Sequence, residues 1–266
     1  MINKYFLAFF VATALAGCGG SGEDLSTSIS GTEGSGGSGT STCSTDQSAV
    51  GFWSGTVYTA LEPTNKKETV GVVLPSGKYL FATGESFSSL ISGSGSTKCT
   101  TFTSGDTFDP NSQSGLIQGT ASGTVTSERS INVSFKLNGT PKGSAVLDYE
   151  KSYKYEPNIN NLFGSRYTNI KDNNKSFVLK EKSFYFTDTD CHYKGTLNSA
   201  DNIGNSFQLA LEIVDLGNCS NSTNPGKLIN GNAFLYTKNG STYLMLLGIS
   251  EDKKWFSGAF KQGSAQ

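Results

Sequence analysis

The chain has 266 residues, of which 35% are hydrophobic and 16% charged, with 21 basic side chains against 22 acidic ones. That apolar share supports a folded core, and a net charge of −1 provides no field to steer a polyanion. Only Arg129 and Arg166 offer a guanidinium, which argues against nucleic acid as a partner.

Met1-Ile-Asn-Lys4 is a short basic start, and an uncharged apolar run follows from Tyr5 to Ala16. As a helix this run spans about 18 Å, well short of the ~30 Å hydrocarbon core, so it suits an export signal and not a transmembrane helix. The run closes with Leu15-Ala16-Gly17-Cys18, which resembles the lipobox of bacterial lipoproteins at all four positions. The resemblance implies a signal peptide over residues 1–17, recognised through Leu15, Ala16 and Gly17. It also implies cleavage before Cys18, a diacylglyceryl group on the Cys18 sulfur and an acyl chain such as palmitate on the freed amine. Several acyl chains at ~0.8 kcal/mol per buried CH₂ make a lasting membrane anchor. Gly19 stands where an aspartate would signal retention in the inner membrane, so the resemblance implies the outer membrane, with its periplasmic face and the cell surface both open.

Residues 18–42 carry the lipidated cysteine and a tether. Eight glycines and seven serines lie between residues 19 and 42, with Leu25 and Ile29 as the sizeable apolar groups. Such a segment cannot offset its ordering entropy by burial and is expected to be disordered. Its root-mean-square span is about 27 Å.

From Gly51 onward, short apolar–polar alternations are separated by turn residues. Trp53–Thr59, Thr69–Leu74, Lys78–Ala82, Leu116–Thr120, Ile131–Leu137 and Gly143–Tyr149 read as strands. Ile131, Val133, Phe135 and Leu137 fall on one face, and Asn138-Gly139 after them suits a type I′ hairpin turn. Between them, the Ser/Gly/Thr-rich stretch 84–114 reads as a long loop without core residues. Further on, Phe177–Leu179, Ser183–Phe186, Cys191–Gly195, Phe207–Val214, Ala233–Tyr236, Thr242–Leu247 and Trp255–Phe260 continue the series, with Asn239-Gly240 as another hairpin turn. No long window carries a helical stripe, so the fold class is all-β.

Gln118–Thr124 followed by Ile131–Leu137 is echoed by Lys194–Ser199 followed by Phe207–Ile213, and Lys142–Tyr149 by Asn230–Tyr236. The echo suggests two related antiparallel β-modules, 43–155 and 156–266, each of six or seven strands, with a joint near Asn158–Asn161. Two small barrels or sandwiches and one larger merged barrel or sandwich are both compatible with it.

With Cys18 lipidated, four of the five cysteines remain, an even number that in an exported chain argues for disulfides. Four cysteines allow three pairings, and the repeat favours Cys43–Cys99 and Cys191–Cys219. A metal site is disfavoured, because no CxxC pair occurs and His192 is the single imidazole. Nor is any cofactor motif present. The glycines of 115–123 lack the lysine and the strand–loop–helix setting of a phosphate loop, and Asp188-Thr-Asp190 lacks the rest of a calcium loop.

Hydrolysis by a carboxylate pair needs no histidine, and Glu212, Asp148 and Glu150 lie on expected strands. Tyr149, Tyr153 and Tyr155, interleaved with Lys151 and Lys154, form a possible contact stripe for a protein or carbohydrate, or a wet edge strand guarded by lysines. Gly51-Phe-Trp53 resembles the Gly-x-Trp that opens lipocalins, which are ligand-binding barrels, although the later lipocalin arginine is missing. Lipid anchor, tether and tandem β-modules together resemble surface lipoproteins of the transferrin-binding-protein type in architecture. The expectation is a non-enzymatic, lipid-anchored outer-membrane protein that binds or scaffolds an envelope or host protein or a glycan through loops and strand edges. Its alternatives are an enzyme inhibitor or small-ligand-binding barrel, and a carboxylate-pair glycan hydrolase.

Overall fold

Strict alternation and paired turn residues translate into antiparallel hairpins, and these dominate the computed structural model. It describes residues 43, 45–60, 64–109, 117–188, 191–199, 204–215, 228–251 and 255–265. Residues Cys43–Gln266 form one unit. Among the described residues its elements are β-strands and two short 3₁₀ turns.

The first eight strands are β1 (Gly51–Thr59), β2 (Lys66–Val73), β3 (Lys78–Thr83), β4 (Ser89–Lys98), β5 (Thr101–Asp109), β6 (Ile117–Thr126), β7 (Ser130–Leu137) and β8 (Thr140–Glu150). Each pairs antiparallel with the next, and β8 returns to β1 with Phe52 opposite Glu150, closing a barrel. Asn138 and Gly139 both have positive φ (48° and 75°), as a type I′ turn requires. Asn239 and Gly240 repeat the device at 50° and 73°.

The second eight are β9 (Ser165–Asn169), β10 (Ser176–Val178), β11 (Ser183–Asp188), β12 (Cys191–Ser199), β13 (Ser206–Asp215), β14 (Leu228–Lys238), β15 (Ser241–Ile249) and β16 (Trp255–Ala265). Their order is β10-β9-β16-β15-β14-β13-β12-β11, so two strands consecutive in the chain, β10 and β11, stand at the two ends. The sheet curls into a barrel with one seam that carries no ladder. Each sheet has eight strands where the alternation suggests six or seven. The sequence echo maps β6–β8 onto β12–β14, which is the sixth to eighth strands of one meander onto the fourth to sixth of the other. The likeness is therefore displaced by two strands.

The described part of the stretch 84–114, residues 84–109, is not a loop. It holds β4 and β5, with Leu90 and Phe102 in the core. Glycine disguises the strand because neighbouring rings fill its inner face. A Cβ on Gly93 would lie 2.4 Å from the Tyr79 hydroxyl, and one on Gly95 2.3 Å from the Phe102 ring. β9 is also absent from the alternation, since Tyr167 is its one large apolar residue.

Three cores hold the unit together. Trp53, Val73, Tyr79, Phe102, Ile131 and Leu147 fill the first barrel. The second is filled by a run of rings in which Tyr167, Phe177, Phe184, Phe186 and Tyr193 follow one another at centroid distances of 5.4, 4.8, 5.8 and 5.0 Å. The third core lies between the barrels. Phe52, Val70, Val72, Leu80 and Leu90, on the outer face of β1–β4, meet Phe234, Tyr236, Met245 and Leu247 on β14 and β15. Phe52 and Phe234 stack with centroids 4.6 Å apart. Beside that stack the Tyr236 hydroxyl donates to Glu68 Oε1 (3.3 Å), and Lys238 Nζ donates to Glu68 Oε2 (2.6 Å). Burial, with Glu68 and Glu150 nearby, pushes the Tyr236 phenol up to about 12.

The barrels are joined by residues 151–164, which hold the 3₁₀ turns Lys151–Lys154 and Ile159–Leu162. The Asn158 side chain caps the second turn by accepting from Asn160 N–H (3.0 Å). The expected joint at Asn158–Asn161 falls in this connection. A Cys43–Cys99 disulfide ties the start of the unit to the β4–β5 turn.

Candidate functional site

Strand parity decides which side chains face outward, and register decides which stand side by side. On β12, β13 and β14 the inward residues Leu197, Leu209 and Ala233 belong to the second barrel's core. Their neighbours Asn198, Gln208 and Asn232 therefore point out. Asn198 is directly opposite Gln208, and Gln208 directly opposite Asn232. Three side-chain amides thus cross three strands in a row, spaced by about 4.8 Å per strand. Asn230, two residues from Asn232, adds a fourth amide to the same face.

This row faces the outer wall of β3–β5 across a groove of about 680 Å³, within the usual size of a ligand site. The first barrel contributes Lys78, Leu80, Ser92, Ser94 and Asp106 to that wall, and Glu251 closes the other side. Asp106 is held in place by the Ser94 N–H (2.7 Å) and the Ser104 hydroxyl (3.3 Å). Asn232, 4% exposed, donates to Ser206 Oγ at 3.4 Å, leaving its carbonyl oxygen as an acceptor. Ser92 shares the outward parity of Leu90, is 3% exposed, and its hydroxyl has no protein partner. A buried polar atom without a partner carries a desolvation cost of about 1–3 kcal/mol.

Among the described residues, the cavity inside the first barrel is much smaller. It is about 30 Å³, lined by residues such as Val57, Phe81, Ile91 and Phe135. That is about the share of one water in the liquid, far below a ligand pocket. Trp53 fills one end, buried, with its indole N–H donating to Ala49 O at 2.8 Å. The Tyr79 hydroxyl bonds Ser104 (3.0 Å) and Thr107 (2.7 Å), and burial pushes its ionisation up. A second concavity of about 520 Å³ opens at the seam, lined by Tyr185, Phe186, Thr187, His192 and Tyr193. His192 stands exposed there, its Nδ1 2.9 Å from the Thr187 hydroxyl.

The three tyrosines of the expected stripe do not share a face. Beyond Glu150 the chain leaves the sheet in a 3₁₀ turn, so the alternation of a strand is lost. Tyr149 packs edge-on against Trp53 (5.3 Å). Tyr153 packs against Phe52 (5.0 Å) and the close approach of Gly204, where a Cβ would lie 2.5 Å from its ring. Tyr155 alone is exposed, at 66%. Burial raises the ionisation of Tyr149 and Tyr153.

Of the carboxylates considered for hydrolysis, Asp148 and Glu150 share the outer face of β8, while Glu212 stands apart on β13. Asp148 is exposed on the outer face of β8, Glu150 accepts a hydrogen bond from Ser54 Oγ, and Glu212 is half-exposed on β13. Cys43, Asp46 and Cys99 cluster closely enough for a metal, but both sulfurs are consumed in the disulfide. Cys191 is also disulfide-bonded. Leu15, Ala16, Gly17, Cys18, Cys219 and Asp190 lie outside the described residues, as does the tether.

The amide row is absent from the sequence expectations because each amide looks like an ordinary solvent-face residue of its own strand. Pairing register is the missing information. Ser92 and Asp106 were hidden by the reading of 84–114 as a loop. No protein-family model matches the chain, and no curated protein matches it.

Proposed function

We propose that this protein is a lipid-anchored, non-enzymatic component of a bacterial outer membrane that captures an envelope or host protein or glycan in the groove between its two barrels. The observation that carries the binding role is the groove itself: a concave, amide-lined surface containing a buried hydroxyl with no partner. The anchor rests on Leu15-Ala16-Gly17-Cys18 behind a basic start and an apolar run. Several acyl chains on Cys18 hold a membrane surface durably, and the Gly/Ser-rich segment that follows lets the folded unit reach away from it. The filled first barrel supports an external and not an internal contact surface.

Two measurements test this reading. Mass spectrometry of the mature N-terminus is expected to find a lipidated Cys18, and Cys18→Ala is expected to leave the membrane fraction. A membrane-bound Cys18→Ala form removes the anchor. A photo-crosslinking residue introduced at position 208 is expected to trap a partner in intact cells, while one at the outward position 146 is expected not to. Equal trapping at both positions removes the groove.

A further inference from the structure

Within that reading, on which this inference rests, we propose that the groove binds an uncharged, hydroxyl-rich oligosaccharide in extended form. The argument is one of complementarity. A side-chain amide carries a donor and an acceptor side by side, and a sugar presents adjacent hydroxyls that each donate and accept. Asn198 and Gln208 repeat that unit across adjacent strands at about 4.8 Å, close to the length of one pyranose unit in an extended chain, and the Asn232 carbonyl continues the row as an acceptor. The row is prearranged. Its positions are fixed by ladder pairing, and Asn232 is held by Ser206.

Opposite the row, Ser92 lines the groove, and its hydroxyl is buried and unpartnered. A ligand hydroxyl would satisfy it, offsetting the desolvation cost already incurred on folding. Leu74 and Ile249, both partly buried, add apolar surface suited to the C–H faces of sugar rings.

Charge separates this ligand from its rivals. The groove holds Lys78 against Asp106 and Glu251, and the Asp106 oxygen already accepts from two donors. Among the described residues that line the groove, an anionic chain meets two carboxylates and one ammonium. A protein partner would be expected to find exposed Trp, Tyr or Arg anchors, which dominate such interfaces. The aromatic member of the groove, Tyr79, is 3% exposed, with its hydroxyl engaged inside the barrel.

The test uses the full-length protein in a sugar-free zwitterionic detergent, applied to an array of neutral chito-, malto-, cello- and xylo-oligosaccharides beside sialylated, uronic-acid and sulfated chains. Binding to at least one neutral chain, unchanged at molar salt, is expected. Asn198→Ala with Gln208→Ala is expected to weaken it about four- to hundred-fold at unchanged Tm, since each neutral hydrogen bond is worth about two- to ten-fold. Ser92→Ala is expected to weaken it about two- to ten-fold while leaving Tm unchanged or raised, because it removes a hydroxyl that has no partner in the free protein. That combination separates recognition from folding. A blank neutral set, a salt-sensitive preference for anionic chains, or binding indifferent to these substitutions overturns the proposal. A protein trapped through position 208 together with a blank array retires the sugar and keeps the groove. A blank array with no trapping removes both.

Discussion

Truncating Phe234 tests whether the two barrels fold as one. Phe234 sits on the outer face of β14, 1% exposed, and stacks on Phe52 of the first barrel. Phe234→Ala deletes a fully buried ring from the core shared by both barrels. The expected cost is about 3–5 kcal/mol, combining lost transfer energy with the cavity left behind. With a urea slope of about 3 kcal/mol per molar, the midpoint falls by about 1–1.7 M. The two tryptophans allow the barrels to be read separately, since Trp53 lies inside the first and Trp255 on β16 of the second. In a Trp255→Phe background, Trp53 fluorescence reports the first barrel alone. The substitution lies in the second barrel, so a fall in the Trp53 midpoint shows that the shared core couples them. If the Trp53 midpoint stays put while the second barrel weakens, the coupling argument is wrong.

Three further outcomes are expected. Lys238→Met breaks the half-exposed pair with Glu68 and is expected to cost under about 1 kcal/mol by thermal melting, so the apolar stack outweighs the ion pair beside it. Reducing the Cys43–Cys99 bridge, with a sequence separation of 56, is expected to cost up to about 4 kcal/mol on the chain-entropy model, seen as a lower Tm in Cys43→Ala/Cys99→Ala than in wild type. Alkaline stability follows from Tyr236 and Tyr167, both pushed up to about 12, chiefly by burial, from an ordinary value of 10.0. Each phenol keeps its proton in the folded state after the unfolded state has lost it. Their contribution is therefore full below pH 10 and is lost as pH rises towards 12. Stability measured across that interval should fall more gently in Tyr236→Phe than in wild type.

The all-β class and the hairpins were legible because their signals are local. Asn138-Gly139 needs only two residues with positive φ, and Ile131 to Leu137 needs only one wet face. Legibility failed where a strand's neighbours do its packing. Gly93 and Gly95 look like loop residues until Tyr79 and Phe102 are known to occupy their places. It also failed where both faces are dry. Phe52 and Trp53 are consecutive and both buried, one against the second barrel and the other inside the first, which no alternation reveals. The groove was the least readable feature. Its amides lie on three strands, and only the register sets Asn198, Gln208 and Asn232 abreast. The tyrosine stripe failed for the opposite reason, because a regular spacing was assumed to continue past the end of the strand at Glu150.

Barrel closure sets a timing problem for the growing chain. Phe52 must find Glu150, and Asn169 must find Phe260, before either sheet is complete. Such distant pairings form slowly because loop-closure entropy is spent before the contacts that repay it. Until then the β1 and β8 edges, and those of β9 and β16, present unpaired backbone to any other extended chain. A helper that keeps these edges apart from other chains would raise the yield of folded protein without touching the finished barrels.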